Sequence, residues 1–366
     1  MKPVVNLLWC RPGKVGGSEE YLVRQLVGLR TAAPDIVPRL VVAPGFVDAH
    51  RELAGLDASV GPPWTAGLAG RLAAELTWLP RHLGGGDLVH HGGGTVPLRS
   101  PRPVVLTIHD IQYVSFPQYF SAARLRYLRA AMPPSVRRAR VVAVPSEFVK
   151  TTVVDAFGAD PDTVVVVPHG VDVAPSAHRP SEAVLRQRYG LGDRRVLVFP
   201  AITHPHKGHR FLLDVAATAW THPDIVVVLI GGEGPAEQDV RAAIERLGLA
   251  GRVVRPGRVP AEDRDGLIGL AEALVFPSEY EGFGAPVLEA MAAGTPVICS
   301  DAPAVAEVAG DAAVVRPLDV DAWAGALDDV GADRARLIER GRARAAHFTT
   351  AISGAALARA YRLALS

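Results

Sequence analysis

Cysteine is nearly absent. The 366 residues hold two, Cys10 and Cys299, far apart and each inside an apolar run. That excludes a disulfide framework and a CxxC metal site, and it fits a reducing, cytosolic setting. Charge of one sign is also missing: 39 Lys and Arg face 38 Asp and Glu, a formal net charge of +1. No global field therefore draws the chain to nucleic acid. No apolar stretch approaches the roughly 18 residues that crossing a bilayer requires. The opening "MKPVVNLLWCRPGK" has too short an apolar run for a signal peptide and no small-residue cleavage site. The 30 Pro and 36 Gly are spread along the chain, so no long disordered tract is expected, and no short-period repeat is visible. Lysine is rare as well. Only Lys2, Lys14, Lys150 and Lys207 occur, so arginine is the default cation and each lysine stands out.

What the chain does have is alternation. "VVNLLWC" (Val4 to Cys10) is a continuous apolar run with β-branched residues, as in a strand buried on both faces. "GGSEEYLVRQLVGLRTAA" follows with Leu22, Leu26 and Leu29 at helical spacing, Ser18 as a candidate cap, and Glu19 and Glu20 suited to a helix N-terminus. Further strands are expected at "RLVVAP", "DLVHH", "RPVVLTIHD" and "RVVAVPS"; Ser146 should cap the helix "EFVKTTVVDAF", which Gly158 should end. "VAPSAHRPSEA" (Val173 to Ala183) lacks periodicity and reads as a linker. The pattern then restarts with "RRVLVFPA", "GHRFLLDVAATAW", "DIVVVLIGG", "AEQDVRAAIERLG", "GRVVRPG", "EALVFPS" and "TPVICSD". Alternation of this kind means parallel sheets with right-handed crossovers. The expected fold class is α/β, two Rossmann-like domains facing across a cleft, over residues 1–178 and 179–345, with a final helix at 346–366 returning to the first. Ligands in such sheets bind beyond the carboxyl ends of the strands.

The stretch "PSEYEGFGAPVLEAMAAGTPVICSD" (Pro277 to Asp301) carries the chemistry. A strand ends at Ser278, a turn holds Glu281, Gly282 and Gly284, and a helix begins near Ala285 with Pro286 in its first turn and Gly294 at its end. Glu289 lies about one turn into that helix. Two carboxylates accept hydrogen bonds from hydroxyls, and the N–H groups between them face an anion or a polar ligand. A sugar or ribose with a phosphate nearby is the ligand class this suits.

The pattern resembles the E-x7-E signature of glycosyltransferase family 4, retaining enzymes of the two-Rossmann fold called GT-B. The resemblance extends over nearly the whole chain. "GGSEE" resembles the glycine pair after the first strand, "LTIHD" the HD element, "VVPHGVD" the P-N-G-V-D element with His169 in place of Asn, "HPHKGHRFLL" the K-G element, and "IGGEGP" the G-x-G-P loop. "HFTTAISGAALARAYR" resembles the final helices. The resemblance implies a nucleotide-sugar donor. Glu289 would bind the ribose hydroxyls and Glu281 the donor sugar. The amides of Phe283 and Gly284 would meet the sugar, that of Ala285 the phosphate, and Lys207 would pair with the diphosphate leaving group. Gly16 and Gly17 would admit the diphosphate and the acceptor, His109 would lie beside the sugar, and Arg258 would lie near the base. It also implies a glycan or polyprenyl-linked acceptor and neither metal nor other cofactor. "PHKxH" is similar to mannosyltransferases of surface polysaccharides, which points the donor toward GDP-mannose.

The chain departs from the family pattern in one place. An Arg is expected about five residues before Lys207, and Ile202 and Thr203 stand there. Three histidines in "HPHKGH" lack the neighbouring acids of a metal site. Arg124, Arg126, Arg129, Arg137, Arg138 and Arg140 form a basic segment that suits an anionic membrane surface, hence a cytoplasmic protein with peripheral contact at the inner membrane face, or else a solvated helix face. Two other readings compete. A nicotinamide dehydrogenase lacks support because no G-x-G-x-x-G follows the first strand. A nucleotide-binding scaffold with a degenerate donor site is motivated by the absent Arg.

Overall fold

The computed structural model describes residues 1–12, 16–97, 100–172 and 180–366, apart from the side chain of Ala66. The chain divides into two compact units, Met1–Gly170 with Phe348–Ser366, and Val171–His347. Residues 173–179 of the expected linker lie outside the described residues.

The strands of the first unit are β1 (Pro3–Leu7), β2 (Arg39–Val42), β3 (Ala58–Val60), β4 (Leu88–His91), β5 (Val104–Thr107), β6 (Val141–Val144) and β7 (Val164–Val166). They form one parallel sheet in the order β3-β2-β1-β4-β5-β6-β7. Its helices are α1 (Gly17–Ala32), α2 (Phe46–Ala49), α3 (Leu68–Thr77), α4 (Gln112–Ser115), α5 (Ala122–Arg138) and α6 (Glu147–Phe157). Residues of β1, β4, β5 and β6 are buried throughout, which is why they read as unbroken apolar runs. Ser146 and Gly158 bound α6 as expected: Val149 N–H donates to Ser146 Oγ at 3.2 Å, and Gly158 takes φ 63°. Ser18 does not cap α1. The helix starts one residue earlier, at Gly17, with Gly16 at the cap position and no side-chain cap.

In the second unit the strands are β8 (Arg195–Pro200), β9 (Ile225–Ile230), β10 (Val253–Gly257), β11 (Ala273–Phe276), β12 (Val297–Ser300) and β13 (Val314–Arg316), in the order β10-β9-β8-β11-β12-β13, again parallel. The helices are α7 (Glu182–Arg188), α8 (His209–Thr218), α9 (Glu237–Arg246), α10 (Ala261–Leu270), α11 (Ala285–Ala293), α12 (Pro303–Ala309), α13 (Val320–Ala324), α14 (Ala326–Ala332) and α15 (Arg334–Ala345); the last helix, α16 (Thr350–Leu365), belongs to the first unit and packs on α1. α7 corrects the linker reading, which ran to Ala183: Ser181 caps a helix that has begun at Glu182.

In both sheets the strand order reverses direction beside the first strand of the unit: between β1 and β4, and between β8 and β11. At such a reversal the loops leaving the two strands generally diverge to opposite faces, and α/β proteins bind ligands in the crevice this leaves at the carboxyl edge. The β8 and β11 loops carry Lys207 and Glu281.

Candidate donor site

The site in the second unit is built from these two loops. The loop after β8 ends in a short 3-10 turn, Pro205–Lys207, then Gly208 and α8. Gly208 has φ 77°, and a Cβ there would lie 2.0 Å from the Pro277 carbonyl oxygen. Only glycine allows this loop to sit so close to the β11 exit. The Glu279 N–H donates to the His206 carbonyl at 2.7 Å and ties the loops together. Across this junction Lys207 Nζ donates to Glu281 Oε1 at 2.6 Å, with the two side chains 20% and 11% exposed. The sequence-predicted cation and the first acid of the motif therefore form one charged pair at the switch point.

Helix α11 begins at Ala285, with Pro in its first turn, and ends before Gly294 (φ 78°). Its cap residue Gly284 has φ 93° and supplies no side chain, so the first-turn N–H groups, Ala285 among them, receive no side-chain cap from it. The Phe283 side chain is buried. Glu289 lies on α11 and is partly exposed. Arg258 stands apart: exposed, just past the end of the edge strand β10, two strands from β8.

Three histidines surround Lys207. Burial, then the charge of Lys207, lowers His204 and takes His206 down to about 3. Burial and then Arg255 take His209 to about 3. All three are neutral near pH 7, so Lys207 is the cation of its loop. Arg210, the nearest arginine in sequence, is exposed and turns to Asp214 one helical turn on, at 3.0 Å. At the position where the family pattern asks for a cation, Thr203 is fully buried, and its hydroxyl donates to Glu237 Oε2 at 2.9 Å. Glu237 also meets Arg255 at 2.8 Å. The sequence reading missed Arg255. Its signal was available: a charged residue inside the strand "VVRPG".

In the first unit His109 follows β5. Its Nε2 faces the Gly92 carbonyl at 2.9 Å, and its ring sits 5.5 Å from Trp9 and 5.4 Å from Tyr21. A carbonyl only accepts, so Nε2 carries the proton. Desolvation lowers His109 to about 4, leaving Nδ1 unprotonated at neutral pH. His169, the substitute for Asn, packs its ring against Tyr21, tilted by 32°, with centroids 4.3 Å apart. Gly16 takes φ 75°, and among the described residues a Cβ on Gly17 would meet nothing within 4 Å. Lys207, Glu281, Phe283, Gly284, Ala285 and Glu289 thus gather in one unit, and Gly16, Gly17 and His109 lie in the other.

Two family models match the chain. "Glycosyltransferase Family 4" matches residues 15–175, and "Glycosyl transferases group 1" matches residues 182–344. This chain belongs to the family-4 glycosyltransferases. Among its relatives, the O-antigen chain mannosyltransferase B of Escherichia coli is 32% identical over 244 residues, 64% of this chain and 63% of that protein. The GDP-mannose-dependent alpha-(1-6)-phosphatidylinositol monomannoside mannosyltransferase of Mycolicibacterium smegmatis is 32% identical over 215 residues, 56% of each chain. The chain thus spans about three fifths of the length of these relatives. HepE of Anabaena, solved with UDP and glucose, superposes with a TM-score of 0.78 over 99% of both chains at 22% identity; the shared feature is the GT-B fold. Membership in the glycosyltransferases replaces the dehydrogenase alternative.

Proposed function

We propose that this family-4 glycosyltransferase moves a hexose, with retention, from a nucleoside diphosphate sugar to a glycan or lipid-linked glycan. The observation that carries the reading is the Lys207–Glu281 pair, 2.6 Å across the switch-point junction beside the uncapped start of α11. Breaking a sugar–phosphate bond leaves growing negative charge on the diphosphate. Pro286 has no N–H and the Val287 N–H donates to the Gly284 carbonyl, so Lys207 and the Ala285 N–H are the donors this reading assigns to that charge. Glu281 accepts hydroxyls of the sugar once Lys207 turns to the phosphate, and Glu289 accepts those of the ribose. His109, neutral with Nδ1 unprotonated, is able to accept a hydrogen bond from a hydroxyl. In this reading side-chain and helix donors carry the phosphate charge without a metal.

The donor we infer is GDP-mannose. Its support is the mannosyltransferase naming of both relatives and "PHKGH" around Lys207. Contact with an anionic membrane is inferred from α5 and the residue pair after it, where Arg124, Arg126, Arg129, Arg137, Arg138 and Arg140 are all exposed. Among the described residues no helix is long and apolar enough to cross a membrane.

The test is a panel of nucleotide sugars scored by thermal stabilisation and then by transfer. A ligand that binds only the folded state raises the melting temperature. GDP-mannose should stabilise most and be consumed with acceptor. Stabilisation by a UDP-sugar alone replaces the donor; binding without any transfer favours the scaffold alternative.

A further inference from the structure

Arg255 stands on the edge strand β10 with its side chain 6% exposed, and its partner Glu237 is 10% exposed. Surface pairs contribute little, but a buried guanidinium must have all its neighbours in place, because losing one leaves a charge unpaired. Arg255 reaches the carbonyls of Leu229 at 3.0 Å, Gly231 at 2.7 Å and Gly232 at 3.2 Å, all at the exit of β9. That exit in turn grips Thr203. Gly234 N–H donates to the Thr203 hydroxyl at 2.7 Å, Ala236 N–H to the Thr203 carbonyl at 2.9 Å, and Thr203 N–H to the Gly232 carbonyl at 3.3 Å. The contact leaves no room for side chains: a Cβ on Gly231 would lie 2.2 Å from the Ala201 carbonyl oxygen, and one on Gly234 2.6 Å from that of Thr203. The loop bearing Lys207 is thus anchored at Thr203 by this cluster and at Gly208 by the β11 exit.

We propose that Arg255, acting through Glu237 and Thr203, is a positioning residue for Lys207. The chain lacks a second cation on the Lys207 loop and instead holds that loop rigid from beneath, so that a single ammonium is aimed at the leaving group. The proposal rests on the donor-site reading of Lys207 given above. A misplacement of about 1 Å in such a group costs on the order of a hundredfold in rate.

The experiment places Arg255→Met, Arg255→Lys and Thr203→Val in the wild-type and Lys207→Ala backgrounds, with Arg195→Met as control, since it removes an exposed pair with Glu272 at the amino end of β8. Arg255→Met and Thr203→Val should lower kcat roughly tenfold or more, with a smaller change in KM, and should cost little further once Lys207 is gone. Arg255→Lys should recover part of the loss. A second readout needs no substrate. Lys207 is one of four lysines, so its acetylation rate relative to Lys2 and Lys150 is read by mass spectrometry, and it should rise by about threefold or more in Arg255→Met and Thr203→Val as the loop loosens. Losses that multiply independently of Lys207, with unchanged labelling, overturn the brace while leaving the transferase reading intact. Raised labelling in a protein that turns over no nucleotide sugar upholds the brace and removes that reading. If Arg255→Met does not fold, Thr203→Val, which removes only a hydroxyl from the same link, decides the matter.

Discussion

Lys207 and Glu281, 74 residues apart in the chain, meet at 2.6 Å where the loops of β8 and β11 join. The pair keeps a partly buried carboxylate compensated, and in the proposed reading it holds the cation ready for the diphosphate. Lys207→Ala should lower turnover on the order of a hundredfold, by analogy with the loss of one oxyanion donor, and affect substrate affinity less, because the interaction strengthens as charge develops. Lys207→Arg should recover only part, since a planar fork does not replace a compact ammonium. Steady-state kinetics check both. Near-normal turnover in Lys207→Ala would show that another cation serves the leaving group.

The two acids should separate. Glu289→Ala should weaken nucleotide binding by about 1.5–3 kcal/mol, the range for hydrogen bonds to a charged acceptor. Glu281→Ala should chiefly slow transfer, because the proposed reading gives it the sugar hydroxyls and it holds Lys207 at rest. Calorimetry with the free nucleoside diphosphate, beside kcat, measures the split. Equal effects of both substitutions on nucleotide affinity would contradict the assignment.

Acid should unfold this protein early. Burial is the largest cause holding His90 and His91 at about 3, His109 at about 4, and His206 and His209 at about 3. These lie below the ordinary 6.5 of an exposed imidazole, so as pH falls the unfolded chain takes up protons first. Stability present above pH 6.5 is therefore lost as pH drops toward the folded-state values, by up to ~1.4 kcal/mol per pH unit for each such histidine. Urea midpoints between pH 7 and 5 measure it. His90, held between the Tyr361 hydroxyl at 2.8 Å and Thr107 at 2.7 Å, is the cleanest probe: His90→Asn should be less stable at pH 7 and shallower in its pH slope. A flat midpoint in the wild type from pH 7 to 5 would refute this account.

Local signals were readable and distant ones were not. Ser146, Gly158, Pro286 and Gly294 marked helix ends because capping and φ preference act within a few residues, and the observed α6 and α11 obey them. The two α/β blocks were readable because strands buried on both faces leave long apolar runs. Ser18 misled because the cap lies one residue before the helix's first residue, and Gly16, with φ 75°, already fills the place. β3 was invisible because its three residues are half-exposed and carry no pattern. Within the site, Glu281 and Lys207 were each found through their own motif, but their pairing, and the absorption of Thr203 into the Arg255–Glu237 cluster, depend on which strands lie side by side. No spacing along the chain encodes that.

If the arginines of α5 hold the protein on an anionic surface, binding to vesicles containing anionic lipid should fall steeply with salt, because exposed charges are screened within about 8–10 Å at physiological ionic strength. Replacing Arg126, Arg129, Arg137 and Arg138 with Gln should abolish it while leaving nucleotide binding in the second unit unchanged. Absent or salt-insensitive vesicle binding in the wild type would favour an acceptor free in solution.

The stereochemical outcome follows from what Glu281 can do. Retention demands either two inversions through a covalent sugar–enzyme bond or attack on the same face that the leaving group departs from. The first needs a carboxylate nucleophile beneath the anomeric carbon. In the proposed site Glu281 accepts hydroxyls of the sugar and Glu289, on α11, those of the ribose, so neither is assigned the place beneath the anomeric carbon. Same-face transfer requires only that the departing phosphate oxygen, stabilised by Lys207 and the start of α11, accept the proton of the incoming hydroxyl while the new bond forms to the anomeric carbon. The proton goes from acceptor to phosphate, the electron pair of the broken bond stays on the phosphate oxygen, and no residue is modified. With an α-linked donor sugar the product should therefore be α, as NMR of its anomeric proton will show, and mass spectrometry of enzyme held with donor alone should find no sugar on Glu281 or Glu289. A β product would end the retaining assignment, and a glycosylated Glu281 would replace same-face transfer with double displacement.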